Sequence, residues 1–227
     1  MMNLATIKAE IEAACKRVGR DSGEVTLVGV TKNRSVQEIT QMRDAGIKIA
    51  GENRVQEFLP KYEALGNSIE WHFIGHLQRN KVRQIIDKVQ LIHSVDSLRL
   101  AEEISRQAKL HGRNMNILIE INIAEEESKH GISPSYAKCF FRDLQNIENV
   151  TARGLMCIAP FQDPQDVRKY FGQMKQIQLD ITRSFNYHGL TILSMGMSSD
   201  FFVAIEEGAT MIRLGTVLFA NTEQGGS

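Results

Sequence analysis

The chain has 227 residues, enough for one large domain or two small ones, and 42% hydrophobic with 24% charged residues is ordinary for a soluble fold. Lys+Arg and Asp+Glu both number 27, so a formal net charge of zero removes any general electrostatic drive toward nucleic acid or an anionic membrane. Three widely spaced cysteines, Cys15, Cys139 and Cys157, argue against a disulfide framework or a thiolate zinc site and suit free thiols in a reducing compartment.

The opening Met1-Met2-Asn3-Leu4 lacks a continuous apolar stretch, and Glu10 and Glu12 follow it, unlike a signal peptide. No apolar run approaches the roughly 20 residues that span a bilayer, so a cytoplasmic location is expected. Leu4 to Val18 carries apolar residues at three- and four-residue steps and predicts an amphipathic helix. Val25 to Val30 is a β-branched run and predicts a buried strand. Ser35 with Glu38 forms a capping box, and the helix it opens ends near Gly46, a residue suited to a left-handed cap. Strand and helix patterns then alternate. Strands are expected at 47–50, 71–74, 89–95, 116–122, 151–156, 191–194 and 211–214. Helices are expected at 55–65, 78–87, 97–111, 135–147, 164–185 and 201–207.

Eight strands separated by helices imply parallel pairing, because each crossover needs a helix. Eight units in this length predict a single (β/α)8 TIM barrel with an extra N-terminal helix, one domain over residues 1–227. An open doubly wound sheet is the runner-up.

Active sites of such barrels lie at the C-terminal strand ends, with phosphate often held by the loops after strands seven and eight. The seventh loop reads Ser194-Met195-Gly196-Met197-Ser198-Ser199-Asp200, and the eighth reads Arg213-Leu214-Gly215-Thr216. Hydroxyls and unobstructed glycine amides suit an anion, although ordinary turn and cap chemistry is the competing reading. Lys32 follows Val28 and Val30 at two-residue steps, which aims it into the barrel mouth, where burial would favour a nucleophilic amine; a solvated lysine past a strand end is the alternative. Closure places strand eight beside strand one, so Arg213 and Lys32 are expected at one rim; a salt bridge is the competing role for Arg213. A phosphate site, a Schiff-base lysine and an arginine in one mouth fit pyridoxal 5′-phosphate.

Asn53 follows the second strand and could meet the cofactor or cap the next helix. His72 and His76 are four apart, but that spacing crosses a strand and a glycine turn, so no metal site is expected. Arg79, Lys81 and Arg83 form a small basic cluster at a helix start.

Seven stretches carry a resemblance: Val28–Lys32, Gly51–Glu57, Trp71–Lys81, Ser128–Gly131, Arg153–Met156, Ser194–Ser198 and Arg213–Thr216. They run in order over nearly the whole chain and resemble the pyridoxal phosphate homeostasis protein family, with Thr31 standing where many relatives have serine. The resemblance implies a barrel like the alanine racemase N-terminal domain, the fold-type III class of pyridoxal phosphate proteins. It implies an internal aldimine at Lys32, pyridine-nitrogen contact by Arg213, phosphate contacts by Ser198, Gly215 and Thr216, and Asn53, His72, Ser194 and Met195 nearby. It further implies a carrier or regulator of vitamin B6 without established catalysis, a monomer or weak dimer, with PLP-dependent apo-enzymes as partners for any delivery.

Length points the same way. Only Ala220–Ser227 follows Phe219, where the last strand is expected to end, which leaves no room for a second domain carrying a catalytic tyrosine. Tyr62, Tyr136, Tyr170 and Tyr187 fall in or beside predicted helices or far from the strand ends. A weak amino-acid racemase is the alternative, and a sugar-phosphate Schiff-base barrel the third.

Overall fold

Helix α1 (Leu4–Arg17) buries Ile7, Ile11, Ala14 and Cys15, the stripe that its sequence spacing sets on one face. The computed structural model, which describes residues 4–219, continues from α1 into a closed barrel of eight parallel strands in chain order. The strands are β1 (Thr26–Val30), β2 (Ile49–Glu52), β3 (Glu70–Phe73), β4 (Leu91–Val95), β5 (Met115–Glu120), β6 (Val150–Met156), β7 (Ile192–Ser194) and β8 (Met211–Leu214). Between them lie α2 (Val36–Asp44), α3 (Val55–Leu65), α4 (Val82–Ile85), α5 (Leu98–Leu110), α6 (Ala137–Leu144), α7 (Pro164–Phe185) and α8 (Phe201–Glu206), and α9 (Thr216–Phe219) follows β8. The TIM barrel with its extra leading helix is therefore the fold. The tail Ala220–Ser227 lies outside the described residues.

Closure rests on β1 pairing with both β2 and β8, with Val28 opposite Arg213 in the β8 register. The capping box at Ser35 is complete: its hydroxyl accepts from the Glu38 amide, and the Glu38 carboxylate accepts from the Ser35 amide. Arg20 donates to the carbonyls of Ile205 and Ala209, and Arg17 pairs with Glu206, which ties α1 to α8.

Element bounds shift by a few residues from the sequence expectation, most at the helix expected over 78–87, of which only Val82–Ile85 is α-helical. Strand β2 starts at Ile49, because the Ile47 amide is still bonded to the Met42 carbonyl in closing α2 over Gly46, which has φ +100°. The eighth strand covers the expected 211–214, and the chain does not continue as strand toward Phe219: the amides of Leu218 and Phe219 both bond the Gly215 carbonyl and start α9.

The interior is tiered. Val28, Leu91, Leu118, Met156 and Met211 form a buried apolar plug, with Ile49 and Ile192 packed on it. Two residues further along four of those strands, on the same face, stand His93, Glu120, Ser194 and Arg213. An apolar lower layer thus carries a polar upper layer, and all four polar residues are buried.

Candidate functional site

The polar tier is organised by Arg213, which is 4% exposed. Its Nη1 donates to the Ser194 carbonyl (2.8 Å) and hydroxyl (2.7 Å), and its Nη2 donates to the Cys157 carbonyl (2.8 Å). Three fixed acceptors hold the guanidinium plane, with backbone carbonyls as two of them. Burial pulls its pKa below the ordinary arginine value and pushes the neighbouring Cys157 thiol up to about 12, which makes that thiol inert.

From Ser194 a chain of hydrogen bonds crosses the barrel. Ser194 Oγ lies 3.0 Å from His93 Nδ1, His93 Nε2 lies 3.0 Å from His72 Nδ1, and His72 Nε2 lies 2.9 Å from Glu70 Oε1. Its ends set its direction. Arginine can only donate and an ionised carboxylate can only accept. His72 donates from Nε2 to Glu70; where His72 accepts at Nδ1, a neutral His93 donates to it from Nε2 and Ser194 gives its proton to His93 Nδ1. Burial is the main force holding the His93 pKa well below the usual histidine value, helped by His72 and Arg213. The His72 hydrogen bond in turn lowers Glu70.

Lys32 continues the face of Val28 and Val30, yet it is exposed in the turn after β1, so the burial expected of it is not found. Nor do Lys32 and Arg213 share a rim. Arg213 pairs with Val28, two residues before the end of β1, whereas Lys32 lies in the turn beyond that end. The residue fixed at this strand end is Thr31, fully buried. Its hydroxyl donates to Glu52 Oε1 (2.6 Å), and its carbonyl accepts from Lys61 Nζ (2.7 Å). Lys61 also donates to Glu52 Oε1 at 2.6 Å. A buried ion pair between β2 and α3 thereby clamps the backbone just before Lys32.

The seventh and eighth loops do meet: the Ser198 hydroxyl lies 3.5 Å from the Val217 amide, beside Gly215 and Thr216. Gly196 holds φ +92°, a conformation that favours glycine. Met195 differs from its neighbours. Alternation turns its fully buried side chain outward into the core between sheet and helices, so only its backbone faces this loop. Asn53 does not cap α3, whose N-cap is Arg54, and Asn53 Oδ1 is buried with no hydrogen-bond partner among the described residues. It borders a cleft of about 520 Å³ that Glu57, Phe73, His76, Gln78 and Lys81 also line. Of the basic cluster, Arg79 and Arg83 are exposed around the start of α4.

Two residues escaped the sequence reading. His93 and Glu120 are polar positions on the inward parity of otherwise apolar strands, and that parity was the available signal. Glu120 is pushed up to about 7, first by burial and then by Asp96, against the lowering effect of Arg213. Its Oε2 has no partner. His72 and His76 part company: His72 turns inward to His93, while His76 lies at the mouth, stacked on His130.

The site therefore offers a fixed guanidinium, a hydroxyl–amide junction suited to an oxyanion and, in the turn after β1, the exposed Lys32. Orphaned oxygens on Asn53 and Glu120 ask for a donor. This donor set fits a small molecule with a phosphate, an acceptor ring nitrogen and a carbonyl carbon.

The family model for the alanine racemase N-terminal domain matches residues 2–223. The pyridoxal phosphate homeostasis protein of Aquifex aeolicus is 45% identical over 218 residues, 95% of each chain. That of Escherichia coli K12 is 36% identical over 221 residues, 96% of this chain and 94% of the relative. PipY of Synechococcus elongatus, solved with PLP bound, superposes with a TM-score of 0.82 at 34% identity, covering 93% of this chain and all of PipY (100%). An alanine racemase of Clostridium difficile shares the fold (TM-score 0.75, 16% identity), with this chain covering 57% of it. The chain belongs to the pyridoxal phosphate homeostasis protein family, on the barrel of the alanine racemase N-terminal domain.

Proposed function

We propose that this chain binds pyridoxal 5′-phosphate through Lys32 and serves intracellular vitamin B6 homeostasis by holding and releasing it. The carrying observation is the buried Arg213, its head fixed by Ser194 and the Cys157 carbonyl, on the strand paired with β1, which Lys32 follows. When bound, the cofactor supplies an aldehyde that condenses with an amine and a ring that withdraws electrons. Arg213 can only donate, so a ring nitrogen facing it stays unprotonated and the ring is a weak electron sink. That suits storage better than turnover. Ser198, Gly215, Thr216 and the Val217 amide would hold the phosphate. Asn53, His72, Ser194 and the Met195 backbone would line the remainder.

Tyr62, Tyr136, Tyr170 and Tyr187 all lie in or next to helices, and Tyr187 is spent on the Ala152 carbonyl. That supports a role without catalysis, in which cytoplasmic PLP-dependent apo-enzymes are the recipients and the carrier is a monomer or weak dimer. One observation favours a second reading, a weak amino-acid racemase. Strand β5 lies opposite β1 in an eight-strand barrel, so Glu120 and Lys32 come from opposite walls, and a carboxyl near pH 7 can give or take a proton.

The test is the absorbance spectrum of purified protein with added pyridoxal phosphate, beside Lys32→Ala. A long-wavelength band in the parent only, with borohydride fixing the cofactor mass on Lys32, supports the proposal. A parent that stays colourless overturns it. Alanine turnover lost in both Lys32→Ala and Glu120→Gln would establish the second reading.

A further inference from the structure

Three residues outside the cofactor contacts converge at the mouth. His76 follows β3, Asp96 follows β4 and His130 sits in the loop after β5, and their ligand atoms all lie within 4.8 Å of one another. We propose that His76, Asp96 and His130 form a binding site for a divalent cation of the zinc class.

The contacts within the cluster do not account for the convergence. His76 Nδ1 is 3.7 Å from Asp96 Oδ2, too far for a hydrogen bond. The two imidazoles stack with centroids 3.8 Å apart and planes 12° from parallel, an arrangement that uses none of their ring nitrogens. Two imidazole nitrogens and one carboxylate oxygen are the donors that zinc and its neighbours prefer over magnesium or calcium. The side chains of His76 and Asp96 are 41% and 18% exposed, so a fourth position stays open to water, as in non-structural zinc sites.

The backbones carrying these ligands are already fixed. Gly75 packs so closely on Asn53 that a Cβ there would collide with its carbonyl. On the other side, Gly131 holds φ +108° against the Asn122 amide, and the loop returns to β5 through Asn122 N to Ile132 O (2.9 Å) and Ile132 N to Glu120 O (2.9 Å). Cation binding then needs only side-chain rotations. A cation here also sits at the strand ends that carry Asp96 and the unpartnered Glu120 Oε2, while Arg213 is turned to Ser194 and Cys157. It would tie the β3, β4 and β5 loops together on the side facing away from the β1–β8 seam. The site stands independently of the cofactor reading.

The experiment is calorimetric titration of Zn²⁺ into the chelator-stripped full chain, without added pyridoxal phosphate, which itself binds metals. Co²⁺ serves as the visible probe of coordination. The expected result is one equivalent per chain and a tetrahedral cobalt spectrum. His76→Ala and His130→Ala should each weaken binding by more than the roughly 10–100-fold that even outer-shell changes cost. Asp96→Asn should weaken it too, while the exposed His188→Ala leaves it unchanged. No binding up to millimolar Zn²⁺, or binding that survives both mouth-histidine substitutions, overturns the proposal. Both histidines are exposed, and His130→Gln with a thermal unfolding curve confirms that any loss is local.

Discussion

His93 Nε2 and His72 Nδ1 lie 3.0 Å apart inside the barrel, each held by a second partner on its other nitrogen. His93 should therefore be a neutral Nε2–H tautomer at pH 7, readable in long-range ¹H–¹⁵N spectra. Ser194→Ala removes the His93 Nδ1 partner and one Arg213 acceptor, at an expected cost of about 1–3 kcal/mol in denaturant unfolding. His93 is depressed in the fold, so its contribution is complete above the unfolded value near 6.5 and is lost as pH falls below it. His93→Gln should accordingly flatten the acid limb of the stability curve. A mutant limb as steep as that of the parent would refute this.

The Glu52–Lys61 pair should behave as a buried ion pair. Lys61→Met leaves the Glu52 carboxylate, 0% exposed, without its cation and should cost about 3–5 kcal/mol. It also frees the Thr31 carbonyl, so pyridoxal phosphate should load more weakly at Lys32. Glu52→Gln with Lys61→Met should recover much of the stability, which a double-mutant cycle would measure.

Two glycines should respond differently to alanine. At Gly29 the new methyl meets the flexible Met42 side chain, and the overpacking should cost about 1–3 kcal/mol. At Gly75 it meets the Asn53 backbone, which cannot yield without moving the loop. Gly75→Ala should be the more destabilising in thermal unfolding and should also lower cofactor affinity, whereas Gly29→Ala should leave that affinity unchanged.

Glu120 predicts a basic limb. Its folded pKa of about 7 lies above the unfolded value of 4.5, so its stability is complete below pH 4.5 and is lost as pH rises through 7. Glu120→Gln should raise stability above pH 7 by up to about 3 kcal/mol, the free-energy equivalent of that shift. Equal stability of parent and mutant at pH 8.5 would show that the carboxyl is not desolvated.

The barrel was legible because its cues are local: a β-branched run at Val25–Val30, a capping box at Ser35 and short strand-like runs alternating with helix patterns. Barrel closure brought Arg213 to the mouth, and two-residue alternation, applied to Ser194, would have turned the Met195 side chain away from it. What stayed hidden depends on pairing across the sheet. The depth of Arg213 below Lys32 follows from strand register, which one sequence does not display. The Glu52–Lys61 clamp and the His76–Asp96–His130 group join residues from different strands and loops, so no spacing along the chain announces them.

The seam between β1 and β8 has a consequence for the timing of assembly. Lys32 is synthesised 181 residues before Arg213, and the strands that carry them pair directly. A nascent chain still lacking β8 has no seam, no fixed guanidinium and no loop after β8. Under the proposed binding, cofactor capture would follow synthesis of the last strand. Bound there, pyridoxal phosphate would stabilise the closed ring against reopening.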